Sequence, residues 1–108
     1  MNLTCFSSEP PAAPNAAADL LIAQYLDAAS QGDVSAYFDL GVAYSIGGGA
    51  VASDLIEAHK WFNLAAVGGH EEAQMCRADI AEDMTAREIA EAQRRAREWI
   101  AACSRKAA

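Results

Sequence analysis

The sequence predicts an all-α protein, a short α-solenoid of about five helices, and three observations predict it. Apolar residues recur at steps of three and four along most of the chain, and no segment alternates with the period of a strand. Helix-capping residues and glycines separate these stretches at regular intervals. The chain also repeats itself: a shift of 37 residues lays Tyr25 on Phe62, Ala28 and Ala29 on Ala65 and Ala66, Gly32 on Gly69, and Ala36 on Ala73. A period of that length belongs to stacked helix pairs, each burying its face against the next.

Residues 1–15 hold Pro10, Pro11 and Pro14 among serines and alanines and are expected to be a flexible tail. Residues 16–104 form the helical domain, and 105–108 a C-terminal tail. Asn15 caps a first helix over 16–31, with Leu20, Leu21, Gln24 and Tyr25 on one face and Gly32 as its stop. Asp33 caps a second over 34–46, in which Ala36, Leu40, Ala43 and Tyr44 follow the helical period. Gly47-Gly48-Gly49 ends it. Ser53 or Asp54 opens a third helix, Asp54 and Glu57 having capping-box spacing. Its stripe is Leu55, Ala58, Phe62, Ala65 and Ala66, and Gly68-Gly69 closes it. A fourth helix over 70–83 carries Ala73, Cys76 and Ile80 on one face, with Glu71 and Glu72 suited to its N-terminal dipole. Thr85 and Glu88 form another capping box. The fifth helix, 86–103, lines up Ile89, Ala92, Ala96, Trp99, Ile100 and Cys103, and pairs Glu91 with Arg94 and Arg95, and Arg94 with Glu98, on its outer side.

A chain of 108 residues suffices for one domain with a modest core. Its 53% of apolar residues is rich in alanine, which favours helix and close helix approach and buries little area per residue. The net charge of −7 argues against nucleic-acid binding and against an anionic membrane surface. The charge is uneven. Residues 1–84 hold Lys60 and Arg77 against twelve acids, whereas 85–108 hold six basic residues against Glu88, Glu91 and Glu98. Cys5, Cys76 and Cys103 lack CxxC spacing, so free thiols in a cytoplasmic protein are expected. The N-terminal stretch has neither a basic start nor a long apolar run, so no signal peptide is expected, and no stretch reaches the ~20 apolar residues of a membrane span.

The chemistry on offer is sparse. His59 falls mid-helix and His70 at a helix start, without a second ligand at metal spacing, so both read as structural. Cys76 and Cys103 fall on apolar faces and read as small core residues. Gly47-Gly48-Gly49 lacks the lysine and Ser/Thr of a phosphate-binding loop and reads as a repeat turn. The carboxylates read as a solvated face.

Ala36, Leu40, Gly41, Tyr44, Gly47, Gly49, Val51, Asp54, Ala58, Trp61, Phe62, Ala65, Ala66 and Gly69 together resemble the Sel-1-like repeat family, bacterial type, a branch of the tetratricopeptide-like helical solenoids. The pattern is A-x-x-x-L-G-x-x-Y, a glycine loop, then D-x-x-x-A-x-x-W-[FY]-x-x-A-A-x-x-G. Residues 16–32 resemble the second helix of a preceding repeat, and 70–103 a degenerate one, with Arg77 and Ala78 where leucine and glycine belong. The resemblance covers residues 16–103. It implies a right-handed solenoid and a scaffold that binds other proteins, with no catalytic residue and no cofactor.

In such solenoids the first helix of each pair lines the concave surface. Leu40 and Tyr44 turn toward the partner helix, leaving Phe38, Val42 and Ile46 as a second apolar stripe on the helix 34–46. The 37-residue shift places Met75, Asp79 and Asp83 beside it, with Glu72 and Glu82 near. The expected binding face is therefore Phe38, Val42, Ile46 and Met75, edged by Asp79, Glu82 and Asp83. It would accept a protein or peptide with a basic flank, with Phe38 as its anchor. The alternatives are a stripe covered by the N-terminal helix or the N-terminal tail, a homodimer through the same face, occlusion by the chain's own basic helix, and a small hydrolase or redox protein using the histidines or cysteines.

Overall fold

The computed structural model describes residues 16–47 and 53–107. They form five helices: α1 (Ala16–Ser30), α2 (Val34–Ile46), α3 (Leu55–Val67), α4 (Glu71–Ala81) and α5 (Ala86–Ala107). There is no strand among the described residues. None of the described helices is long and apolar enough to cross a membrane. The expected N-terminal tail, the Asn15 cap and Gly48, Gly49 and Val51 of the glycine loop lie outside the described residues.

Short polar side chains start the helices. Asp33 Oδ1 accepts from the backbone N–H groups of Ser35 and Ala36 at 2.9 and 3.3 Å, and Asp54 Oδ1 from those of Ile56 and Glu57 at 3.0 and 3.1 Å. Thr85 and Glu88 form the reciprocal box that opens α5. The box at Asp54 is only half made, because the Glu57 carboxylate turns away to Lys60 and to Arg95 of α5. Two helix ends are built alike, 37 residues apart. Gly32 N–H donates to Ala29 O and Asp33 N–H to Ala28 O; likewise Gly69 N–H donates to Ala66 O and His70 N–H to Ala65 O. Gly32 and Gly69 stand at φ +88° and +98°, where an L side chain is disfavoured.

Helix α1 stops one residue early, at Ser30, and two further helices end where the sequence did not place them. α4 is one residue shorter at its start and two at its end, since His70 serves as its cap and the chain turns at Glu82 and Asp83. α5 runs on to Ala107 because nothing after Cys103 stops it: the following residues include neither glycine nor proline.

The core consists of two clusters on either side of α3. In the first, Trp61 and Leu64 of α3 meet Ala29 of α1, Ala36 and Leu40 of α2 and Ala96 of α5, with Ile22, Tyr25, Tyr37, Tyr44 and Trp99 packed around them. In the second, Ala58, Phe62, Ala65 and Ala66 of α3 meet Ala73 of α4, flanked by Phe38 and Val42 of α2 and by Cys76 and Ile80 of α4. The alanines set close spacing and the aromatic rings fill what remains. Leu20 and Leu21 are exposed; Ile22, Tyr25, Ala28 and Ala29 form the packed face of α1.

Helix α3 is the hub. It packs on α2, α4 and α5, while α1 packs on α2. The second pair of helices departs from the first: α5 lies against α3, not against α4, as its main neighbour. The residues explain why. In α2, buried Leu40 and Gly41 let the Phe62 ring of α3 approach the backbone. Their counterparts in α4 are Arg77 and Ala78, which offer neither the apolar branch nor the notch. Arg77 donates instead to Asn63 Oδ1 of α3 at 2.5 Å. Trp99, the counterpart of Phe62, packs edge-on against Trp61, ring centroids 4.9 Å apart, and its Nε1–H donates to the Tyr37 hydroxyl at 3.4 Å.

Candidate protein-binding face

The seven residues expected to form a binding face divide into two groups. Phe38 and Val42 do not stand free. Both are half-buried in the second core cluster. The Phe38 ring lies 5.6 Å from that of Phe62 and stacks on the His70 imidazole at 4.3 Å, 13° from parallel. Helix α2 is apolar all round because it is covered on two sides, by α3 with α1 and by α3 with the start of α4. Truncating Phe38 would therefore disturb the core, so it is not available as a simple anchor. Ile46 and Met75, by contrast, are 73% and 67% exposed. Asp79 on α4 and Glu82 and Asp83 in the turn after it are exposed, as are Glu71 and Glu72 in the first turn of α4.

None of these five carboxylates takes part in an ion pair among the described residues. The acids of the opposite side are engaged. Arg95 bridges Glu91 and Glu57, both at 2.8 Å, and so ties α5 to α3. Arg94 binds Glu91 and Glu98. The two arginines hold the Glu91 carboxyl down at about 2, through hydrogen bonds first and charge second. The basic helix thus spends these arginines on Glu57, Glu91 and Glu98, and its packing on α3 does not lay it over the outward side of α4. Between α3 and α5 a cleft of about 380 Å³ is lined by Glu57, Lys60, Arg94, Arg95, Glu98 and Trp99. Its three cations are already paired with Glu57, Glu98 and the nearby Glu91, and the Lys60 ammonium is placed 4.1 Å from the centroid of Trp61.

The histidines have structural positions. His59 is 4% exposed, and its Nδ1 has no partner among the described residues. Burial, then the charge of Arg77, lowers its proton affinity. His70 Nδ1 accepts from the Ala73 N–H at 3.1 Å and caps α4. That role escaped the sequence reading because histidine is an unusual cap. The 37-residue period held the signal, since it lays His70 on the capping Asp33. Among the described residues no three His, Cys, Asp or Glu side chains are grouped to hold a metal ion.

Cys76 and Cys103 are free thiols, both half-buried; Cys5 lies outside the described residues. Cys76 sits in the second cluster, and burial, then Glu72 and Asp79, raise its proton affinity. Cys103 lines an open hollow of about 320 Å³ beside Tyr37 and Ile100. The thiolate is the reactive form. Alkylation of the native protein near pH 8, read by peptide mass mapping, should therefore modify Cys103 before Cys76. Faster labelling of Cys76 would contradict its place in the core.

Compared with family models, with curated proteins and with solved structures, the chain matches none of them.

Proposed function

We propose that this chain is a non-catalytic protein-binding module that takes a protein or peptide segment with a basic flank on the outward side of α4 and the adjoining edge of α2. One observation carries the reading. Met75, a large apolar side chain two-thirds exposed on α4, is at same-face helical spacing from Glu72 and Asp79, acids with no ion pair among the described residues in a body that pairs Glu57, Glu91 and Glu98. An exposed thioether flanked along its helix by unneutralised carboxylates suits an apolar side chain followed by lysine or arginine. The resemblance to Sel-1-like repeats supports a binding role. In this reading α2 and α3 are the one complete pair of a right-handed α-solenoid, and α5 closes it. The free thiols fit the reducing cytoplasm expected for it. A homodimer is the second reading, favoured by Leu20, Leu21 and Leu26 of α1, which are 60%, 45% and 37% exposed.

The test is a titration by nuclear magnetic resonance with a synthetic peptide of apolar residues flanked by arginines, against its glutamate counterpart. Shifts should concentrate on α4, and only the basic peptide should bind. Met75→Ala should weaken binding by about 1–2 kcal/mol as the loss of a central anchor. Asp79→Lys should slow association and flatten its salt dependence. If both variants bind like the parent, the face is wrongly placed. Sedimentation of the free protein decides the second reading, which requires a dimer lost when Leu20 and Leu21 are made polar.

A further inference from the structure

Helix α1 and the C-terminal half of α5 carry outward faces that match. Asp19, Leu20, Ala23, Leu26 and Asp27 are exposed and share an arc of about 120° on α1, turned away from the packed Ile22, Tyr25 and Ala29. Arg97, Ile100, Ala101, Ser104 and Arg105 are exposed and share an arc of about 140° on α5, turned away from Ala92, Ala96 and Trp99. We propose that the α1 face is covered by the α5 face of a second copy of this chain. The proposal rests on the homodimer reading, names the surface that α1 meets, and leaves α4 free.

Charge is the first match. Helix α1 holds Asp19 and Asp27 and no basic residue, whereas no acid follows Glu98 in α5. Asp19, Asp27, Arg97 and Arg105 make no ion pair among the described residues. Spacing is the second. Asp19, Ala23 and Asp27 form a row at steps of four, and Arg97, Ala101 and Arg105 form another. Each row spans about 12 Å of helix. Rows of this kind interdigitate when two helices cross near −50°, the commonest packing angle, and the alanine at the centre of each lets the backbones approach. The two aspartates then run alongside the two arginines.

Apolar surface is the third. Leu20 and Leu26 border the acidic row, and Ile100, 47% exposed, borders the basic one. Ile100 and Ser104 also edge the open hollow of about 320 Å³ beside Tyr37, which has room for a leucine side chain. Docking there removes apolar surface of both copies from water while the charges at the rim fix the register. Helix α4 offers more carboxylates, but Met75 is its one exposed large apolar side chain among the described residues. It therefore matches the α5 face less well than α1 does.

Sedimentation of the full chain at rising concentration tests this, and the parent should self-associate less as salt is added. Two charge-reversed variants follow, one with Asp19→Lys and Asp27→Lys, the other with Arg97→Glu and Arg105→Glu. Each sets like charges face to face and should weaken association at least about tenfold. Mixing the two should restore it, because the reversed α1 of one fits the reversed α5 of the other. The four positions are exposed, and circular dichroism checks the helix content. Should a double variant fold poorly, the single changes Asp27→Lys and Arg97→Glu make the same test. A parent that stays monomeric overturns the inference together with the homodimer reading. The inference alone is overturned by a dimer that both reversed variants keep, by a mixture that fails to restore association, or by loss of the dimer in Asp79→Lys, which places the contact on α4.

Discussion

Gly41→Leu should lower the stability of the folded chain by about 3 kcal/mol, at the upper end of overpacking costs. A Cβ on residue 41 would lie 2.5 Å from Phe62 Cδ1, 2.6 Å from Cε1 and 2.9 Å from Cγ. These atoms include the root of the ring, which cannot swing aside without moving α3. Nor is there space beyond it: Phe62 is 2% exposed and backed by Phe38, itself stacked on His70. Relief requires α2 and α3 to separate, opening both core clusters. Gly41→Ala meets the same atoms, though replacing glycine inside a helix returns about 1 kcal/mol of backbone entropy, so its net loss should be smaller. Thermal unfolding followed by circular dichroism measures both. A Gly41→Leu variant as stable as the parent would mean that α2 and α3 do not meet at this notch.

Gly41 also shows what could be read without coordinates. A glycine costs stability inside a helix, so its presence between Leu40 and Val42 marked a close approach, and the aromatic residues of the next helix were its natural occupants. Helix starts were legible for a similar reason. Asp33, Asp54 and Thr85 have few roles to play just before an apolar periodic stretch. Partner choice was not legible. The stripe of α5 states that Ala92, Ala96 and Trp99 are buried, and periodicity carries no record of what buries them. That depended on Arg77 and Ala78 failing to give α4 the notch that α2 has. The binding face shows the same limit. An all-round apolar α2 admits a covered second stripe or an open one. Phe38 and Val42 took the first because α4 begins at His70, directly against the Phe38 ring, whereas Ile46 stays 73% exposed at the far end of α2.

Trp61→Ala should cost about 3–5 kcal/mol, the range for deleting a large buried aromatic side chain, and leave a chain of this size marginally folded or unfolded. Trp61 is 2% exposed at the point where three helices meet. It stacks on Tyr37 of α2 at 5.9 Å, receives the edge of Trp99 of α5 at 4.9 Å, and carries Lys60 of its own helix over its face. Deleting the ring removes the surface on which α5 rests, and the alanines around it, Ala29, Ala36 and Ala96, are too small to fill the space. Its Nε1–H is buried without a partner among the described residues, an unfavourable feature that Phe would not have. Trp61→Phe should therefore lose distinctly less than Trp61→Ala, because shape is partly kept and the unpaired donor is gone. Trp99→Ala, at a half-buried position, should fall between parent and Trp61→Ala, and it should free α5 without disturbing the contact of α2 with α3. Denaturant unfolding of the three variants, with circular dichroism for helix content, orders them. If Trp99→Ala proves more damaging than Trp61→Ala, the hub of the fold is α5 and not α3.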